Sequence, residues 1–246
     1  MHKTFQPFFL LCILFYIFAF TTANAKDVTV GMGLSIPPYI ISENNTGIEY
    51  EVIASALQAV GHSLIPDYVP LARVTMMLSE HKVDGATPLL PSPESSLCFS
   101  LPHISYQNVA ISLREKNYSI NEINDLNGMS LLAFQNAPVY LGKTFSDMTA
   151  KHHNYREDPN QSKQVHALFG GDTDVIILDI NIFYYYYNKS KRKADFKPYT
   201  VHKIFMPSVY SVGFTDRQLC QQFNRGLKKI KKNKLYDEIF KRYTEH

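Results

Sequence analysis

The sequence predicts an α/β fold arranged as two lobes, and three observations carry that reading. Segments rich in β-branched residues alternate with segments whose apolar residues recur at helical spacing. The alternation runs twice along the chain with different content, as two similar units in succession would require. Val175-Ile176-Ile177-Leu178 is apolar without interruption, the pattern of a strand covered on both faces.

In chain order, Asp27 to Gly31 reads as a first strand. It delivers Ser35-Ile36-Pro37-Pro38-Tyr39, which two prolines bar from regular helix. From Ile48, the residues Val52, Ile53, Ala56, Leu57 and Val60 share one helical face, and Gly61 stands where that helix ends. Leu64 to Val69 is a second strand, which Pro66 confines to an edge or a break. Leu71 to Leu78 is a second helix, with Leu71, Val74 and Leu78 together; Val83 to Leu90 is a third strand, ended by Pro91 and Pro93.

The second round opens with strands at Asn108 to Leu113 and Met129 to Phe134. Asn136-Ala137-Pro138 starts a helix carrying Tyr140, Leu141, Phe145 and Met148, and Lys163 to Phe169 is a further helix ended by Gly170-Gly171. Asp179 closes the apolar strand at its carboxyl end, where open α/β sheets place ligand contacts. Tyr184 to Tyr187 read as a helix spanning core and surface. Val209 to Phe214 is a returning strand. Thr215 or Asp216 caps a helix with Leu219, Phe223, Leu227 and Ile230 on one stripe, and a last helix buries Leu235, Ile239 and Phe240.

Residues 1–25 read as a cleaved signal peptide. His2 and Lys3 are polar, Pro7 to Phe20 is almost wholly apolar, and Ala23-Asn24-Ala25 places small residues at a cleavage point. An apolar run of about 14 residues is short against the roughly 20 needed to span a bilayer. The net charge of +3 is modest, and Lys228, Lys229, Lys231, Lys232 and Lys234 make a solvated helix face, not a nucleic-acid footprint. Cys98 and Cys220 remain after cleavage; in an oxidising compartment they form either a disulfide or two separate buried thiols. Gly31-Met32-Gly33 lacks the third glycine of a dinucleotide site, and His152-His153 are adjacent, which splays their rings away from a common metal. No cofactor or metal is expected.

The order and spacing of several segments resemble the extracytoplasmic solute-binding proteins of the polar amino-acid type. These are Val30 to Tyr39, Gly47-Ile48-Glu49-Tyr50-Glu51, Lys82-Val83-Asp84-Gly85-Ala86, Phe99-Ser100-Leu101-Pro102, Asp125-Leu126-Asn127-Gly128, Gln135-Asn136-Ala137, Asp174 to Asp179, Asn224-Arg225-Gly226-Leu227 and Tyr236 to Phe240. The resemblance implies a type II periplasmic binding protein-like fold with two crossover strands. Residues 26–105 would begin the first lobe, 106–208 form the second, and 209–246 return to the first as a strand and C-terminal helices. Cys98 and Cys220 would then share a lobe.

The same resemblance implies ligand contacts at Tyr39, Thr87 and Pro88, at the helix start Asn136 and Ala137, and at Asp179, matching the acidic residue that takes an ammonium group. Asp179 serves equally well as a helix cap. Amino-acid binders carry a carboxylate-gripping arginine within the stretch that here reads Pro91 to Ser100, and none is present. Arg73 is the candidate replacement, with Leu71 standing where an aromatic is common. The implied function is periplasmic binding of a small polar, amino-acid-like or carboxylate metabolite by a monomer, for ABC-type uptake or sensing through a membrane permease or receptor. A dehydratase on the same fold, using Glu94 or Asp179, is the enzymatic alternative.

Overall fold

The computed structural model describes residues 26–190 and 196–244. The leader assigned to residues 1–25 lies outside the described residues. Two sheets organise the chain, each with helices against it. The first contains β1 (Asp27–Gly33), β2 (Ser63–Val69), β3 (Gly85–Leu89), the short β4 (Cys98–Phe99) and β5 (Ile104–Tyr106), and β11 (Ser208–Phe214). Its order is β2-β1-β3-β11-β4, with β5 paired to β11. The second contains β6 (Asn108–Leu113), β7 (Leu131–Phe134), β8 (Tyr155–Asp158), β9 (Val175–Asp179) and β10 (Tyr199–His202), in the order β10-β6-β9-β7-β8.

Parallel pairing is confined to β2-β1-β3 in the first sheet and β9-β7-β8 in the second. Each sheet gains antiparallel strands where the chain crosses over, so both are mixed. Pro66 costs little because β2 is an edge strand, where a missing N–H leaves no inner ladder bond unmade. The two crossings run side by side, with Ser208 opposite Tyr106 and Tyr210 opposite Ile104. One passes from β5 through Gln107 to β6, the other from β10 to β11.

The helices follow the periodicity. α1 (Ile48–Gln58) buries Val52, Ile53, Ala56 and Leu57, and α7 (Arg217–Lys232) buries Leu219, Phe223, Leu227 and Ile230 against it. Asp216, not Thr215, caps α7, accepting from the N–H groups of Gln218 and Leu219. A Cβ at Gly226 would sit 1.8 Å from the Ala56 carbonyl oxygen, so glycine sets how closely α1 and α7 approach. α8 (Leu235–Thr244) buries Ile239. α2 (Leu71–Ser79) buries Val74 and Leu78. In the second lobe the single helix expected after Asn136 is broken into α3 (Ala137–Tyr140) and α4 (Lys143–Thr149), because Gly142 at φ 89° takes a conformation that helix excludes. α5 (Gln161–Gly170) is capped by the Asn160 side chain, and α6 (Ile180–Lys189) follows β9 directly. Val175 to Leu178 are all fully buried. Cys98 and Cys220 are joined at S–S 2.19 Å, tying β4 to α7 within the first lobe. No described helix is long and apolar enough to cross a membrane.

Candidate functional site

Asp179 ends β9 beside the first crossover and is 1% exposed. Its Oδ1 accepts from the Asn181 N–H at 2.8 Å and the Ile182 N–H at 3.1 Å, which caps α6. It also accepts from the Tyr39 hydroxyl at 2.9 Å, a bond from the first lobe to the second. Oδ2 accepts from the Gln107 N–H at 2.7 Å, in the crossover itself. Four donors thus meet a group with about four acceptor positions. Burial pushes the Asp179 carboxyl up to about 6, against the pull of the hydrogen bonds from Ile182, Tyr39, Gln107 and Asn181. Asp179 thus caps α6, as one of its two sequence readings expects.

Tyr39 is fully buried; its ring stacks on Tyr106 with centroids 3.9 Å apart, and its hydroxyl also accepts from Asn181 Nδ2. The Tyr106 hydroxyl donates to Glu49 Oε2 at 3.1 Å, and Glu49 Oε1 takes the Thr87 hydroxyl at 2.6 Å and lies 3.0 Å from His103 Nε2. Glu49, Thr87 and His103 are wholly buried. Burial, then the nearby carboxylates, hold the Tyr39 and Tyr106 hydroxyls well above the usual phenol range, so both remain donors. A continuous polar and aromatic spine therefore runs from Glu49 in α1 through the crossover to Asp179 in β9.

Above this spine lies a cavity of about 320 Å³, within the size range of ligand pockets. The first lobe contributes Leu34, Ser35, Ile36, Pro70, Leu71 and Pro88, and the crossover strands contribute Tyr106 and Tyr210. The second lobe contributes Asn108, Phe134, Gln135, Tyr140, Gln161 and Asp179. A depression of about 370 Å³ adjoins it, sharing Ser35, Ile36, Pro159, Gln161 and Ile182. A wider hollow of about 680 Å³ runs along β10 beside Arg114 and Tyr199, but the second lobe alone builds it. The interlobe cavity is the stronger candidate because both lobes and both crossings meet there, at the carboxyl ends of β1, β3, β7 and β9.

Of the residues singled out from sequence, Leu71, Pro88 and Asp179 line this cavity. Tyr39 and Thr87 lie beneath it, engaged with Asp179 and Glu49. Asn136 and Ala137 are beside it but not in its lining: the Asn136 N–H donates to Glu157 Oε2 at 2.6 Å, Ala137 is buried, and α3 is a single turn. Arg73 is exposed on α2 and is not in the lining. No lysine, arginine or histidine lines the cavity among the described residues. Sequence reasoning missed Tyr106, Tyr140, Tyr210 and Gln161 as cavity residues, and Glu49 with His103 as the buried support. The visible signal was an aromatic in each crossing, at Tyr106 and Tyr210. No group of described His, Cys, Asp and Glu residues forms a metal site.

The fold resembles solved structures of ligand binders and sensors. A histidine kinase sensor domain with similarity to periplasmic binding proteins matches at TM-score 0.71 and 15% identity, over 89% of this chain and 96% of that one. An ancestral arginine-binding protein bound to arginine matches at TM-score 0.69 and 16% identity, over 89% and 98%. The GluR0 ligand-binding core from Nostoc punctiforme, in complex with L-glutamate, matches at TM-score 0.67 and 18% identity, over 89% and 100%. Identities this low establish a shared fold. No curated protein matches the sequence. The model of one sequence family matches residues 28–246, which spans both sheets and the cavity between them, and the chain accordingly belongs to the bacterial extracellular solute-binding proteins, family 3.

Proposed function

We propose that this protein reversibly binds a small solute in the interlobe cavity, on the outer side of the cytoplasmic membrane, and passes it or reports it to a membrane partner. The supporting observation is the composition of the cavity wall, drawn from both lobes and both crossings. A ligand touching both sides stabilises the closed arrangement over the open one by its differential contacts, which makes occupancy readable as shape. Delivery to an ABC-type permease and signalling through a receptor use the same closed surface; the likeness to both an arginine-binding protein and a kinase sensor domain fits either. Binding is favoured over the dehydratase alternative on geometry: Glu94 is exposed outside the cavity lining, and Asp179 is committed to four donors, one of them the Tyr39 hydroxyl, which burial and the nearby carboxylates hold well above the usual phenol range. A thermal-shift screen of amino acids, carboxylates, amines and short peptides, followed by small-angle scattering with and without the best stabiliser, tests the reading. A stabiliser that leaves the radius of gyration unchanged, or that is chemically turned over, would defeat it.

A further inference from the structure

We infer that the interlobe cavity takes a small organic ammonium ion with an apolar or aromatic body and no carboxylate; this rests on the cavity being the ligand site. The first argument is what the wall lacks. An anionic group entering it meets no cationic side chain among the described residues, since Arg73 stands outside the lining and Asn136 has already given its N–H to Glu157. Neutral donors alone repay less of the cost of stripping water from a carboxylate than an opposite charge does.

The second argument is what the wall supplies. Asp179 is buried at its edge and forms no ion pair with any described residue; its four donors are all neutral. Aromatic residues line the space from two sides. Tyr106 and Tyr210 form an edge-to-face pair on the crossings, with centroids 5.2 Å apart, and Phe134 and Tyr140 lie 6.3 Å apart on the second lobe. An aromatic ring that presents its face to an organic cation attracts it through its quadrupole. Gln161 also lines the cavity, and its Oε1 is buried with no hydrogen-bond partner, an acceptor left for an N–H donor. The charge of Asp179, which its neutral donors do not cancel, the Gln161 amide and the aromatic residues together favour an ammonium group. For a carboxylate the wall offers only neutral donors, such as the Ser35 and Tyr140 hydroxyls and the Asn108 and Gln135 amides, and no opposite charge among the described residues.

Calorimetric titration of the intact protein with three matched probes tests this: tyramine (ammonium only), tyrosine (ammonium and carboxylate) and 3-(4-hydroxyphenyl)propionate (carboxylate only). Tyramine is expected to bind at least about tenfold tighter than tyrosine, and the propionate not measurably. Leu71→Arg, which puts a cation in the wall, should weaken tyramine and move the preference toward tyrosine. Tyrosine or the propionate binding as tightly as tyramine overturns the ammonium assignment; if Leu71→Arg then still alters their affinity, the cavity remains the ligand site. Affinities indifferent to Leu71→Arg would remove the cavity itself from consideration. Failure of tyramine and of a panel of primary to quaternary alkyl and aryl amines to bind also overturns the assignment.

Discussion

Replacing Asp179 by alanine isolates what the buried carboxylate does. The change removes the α6 cap, which costs about 1 kcal/mol. It also leaves the Tyr39 hydroxyl and the Gln107 N–H without their acceptor in a buried place, at about 1–3 kcal/mol each. The sum is roughly 3–7 kcal/mol, and at about 2–4 °C per kcal/mol for a chain of this size the melting temperature should fall by about 6 °C or more. Differential scanning calorimetry on the ligand-free protein measures it. Asp179→Asn keeps a capping oxygen and adds a pH test. The carboxyl titrates near 3.8 when unfolded and at about 6 when folded. Between those values the unfolded chain has released a proton that the folded chain retains, so this group's contribution falls as pH rises through that window, by about 3 kcal/mol. The asparagine variant lacks the loss, so its deficit against the parent should be larger at pH 4 than at pH 7. An alanine variant melting within about 2 °C of the parent, or an asparagine deficit independent of pH, would refute the reasoning.

Three further outcomes follow from the packing. Cys98→Ser with Cys220→Ser opens a covalent loop spanning 122 positions; the loop-entropy estimate is about 5 kcal/mol, read as a lower urea midpoint and a loss of sensitivity to reductant. Gly226→Ala drives a Cβ toward the Ala56 carbonyl, so α1 and α7 must separate; a cost of about 3 kcal/mol or more is expected, with faster proteolysis of the C-terminal helices as the check. Tyr106→Phe preserves the stack on Tyr39 but removes the donor to Glu49, costing about 1–2 kcal/mol by thermal melt, whereas Tyr106→Ala should cost more and weaken ligand binding.

Periodicity made most elements legible: α1 and α7 bury most of the faces their spacing marks, α2 buries Val74 and Leu78 while Leu71 stays half-buried at the cavity, Val60 lies beyond the end of α1, and Val175 to Leu178 are covered as an unbroken apolar run requires. Four strands escaped: β4 and β5 because they are two and three residues long, β8 and β10 because they are sheet edges with little to bury. Tyr155–Asp158 is mostly polar, and Tyr199–His202 pairs on one side only. At the site, residue types were readable but their commitments were not. Tyr39 and Asp179 lie 140 positions apart, and nothing local says that each already satisfies the other. Arg73 marked a charge in the right helix, yet whether a side chain enters a cavity depends on the helix's rotation against the sheet. Tyr106 fell in the gap between two expected strands, where the chain leaves one lobe for the other.

The bond between Cys98 and Cys220 has a consequence for how the gene product behaves when damaged. The first cysteine precedes the outward crossing and the second follows the return, so the whole second lobe hangs from the first as a covalently closed appendage. A protease that nicks it anywhere leaves both fragments attached, and the cut becomes visible on a gel only under reduction. The same closure makes the appendage a transplantable cassette: a foreign lobe spliced between the two crossings would inherit a base already stapled shut.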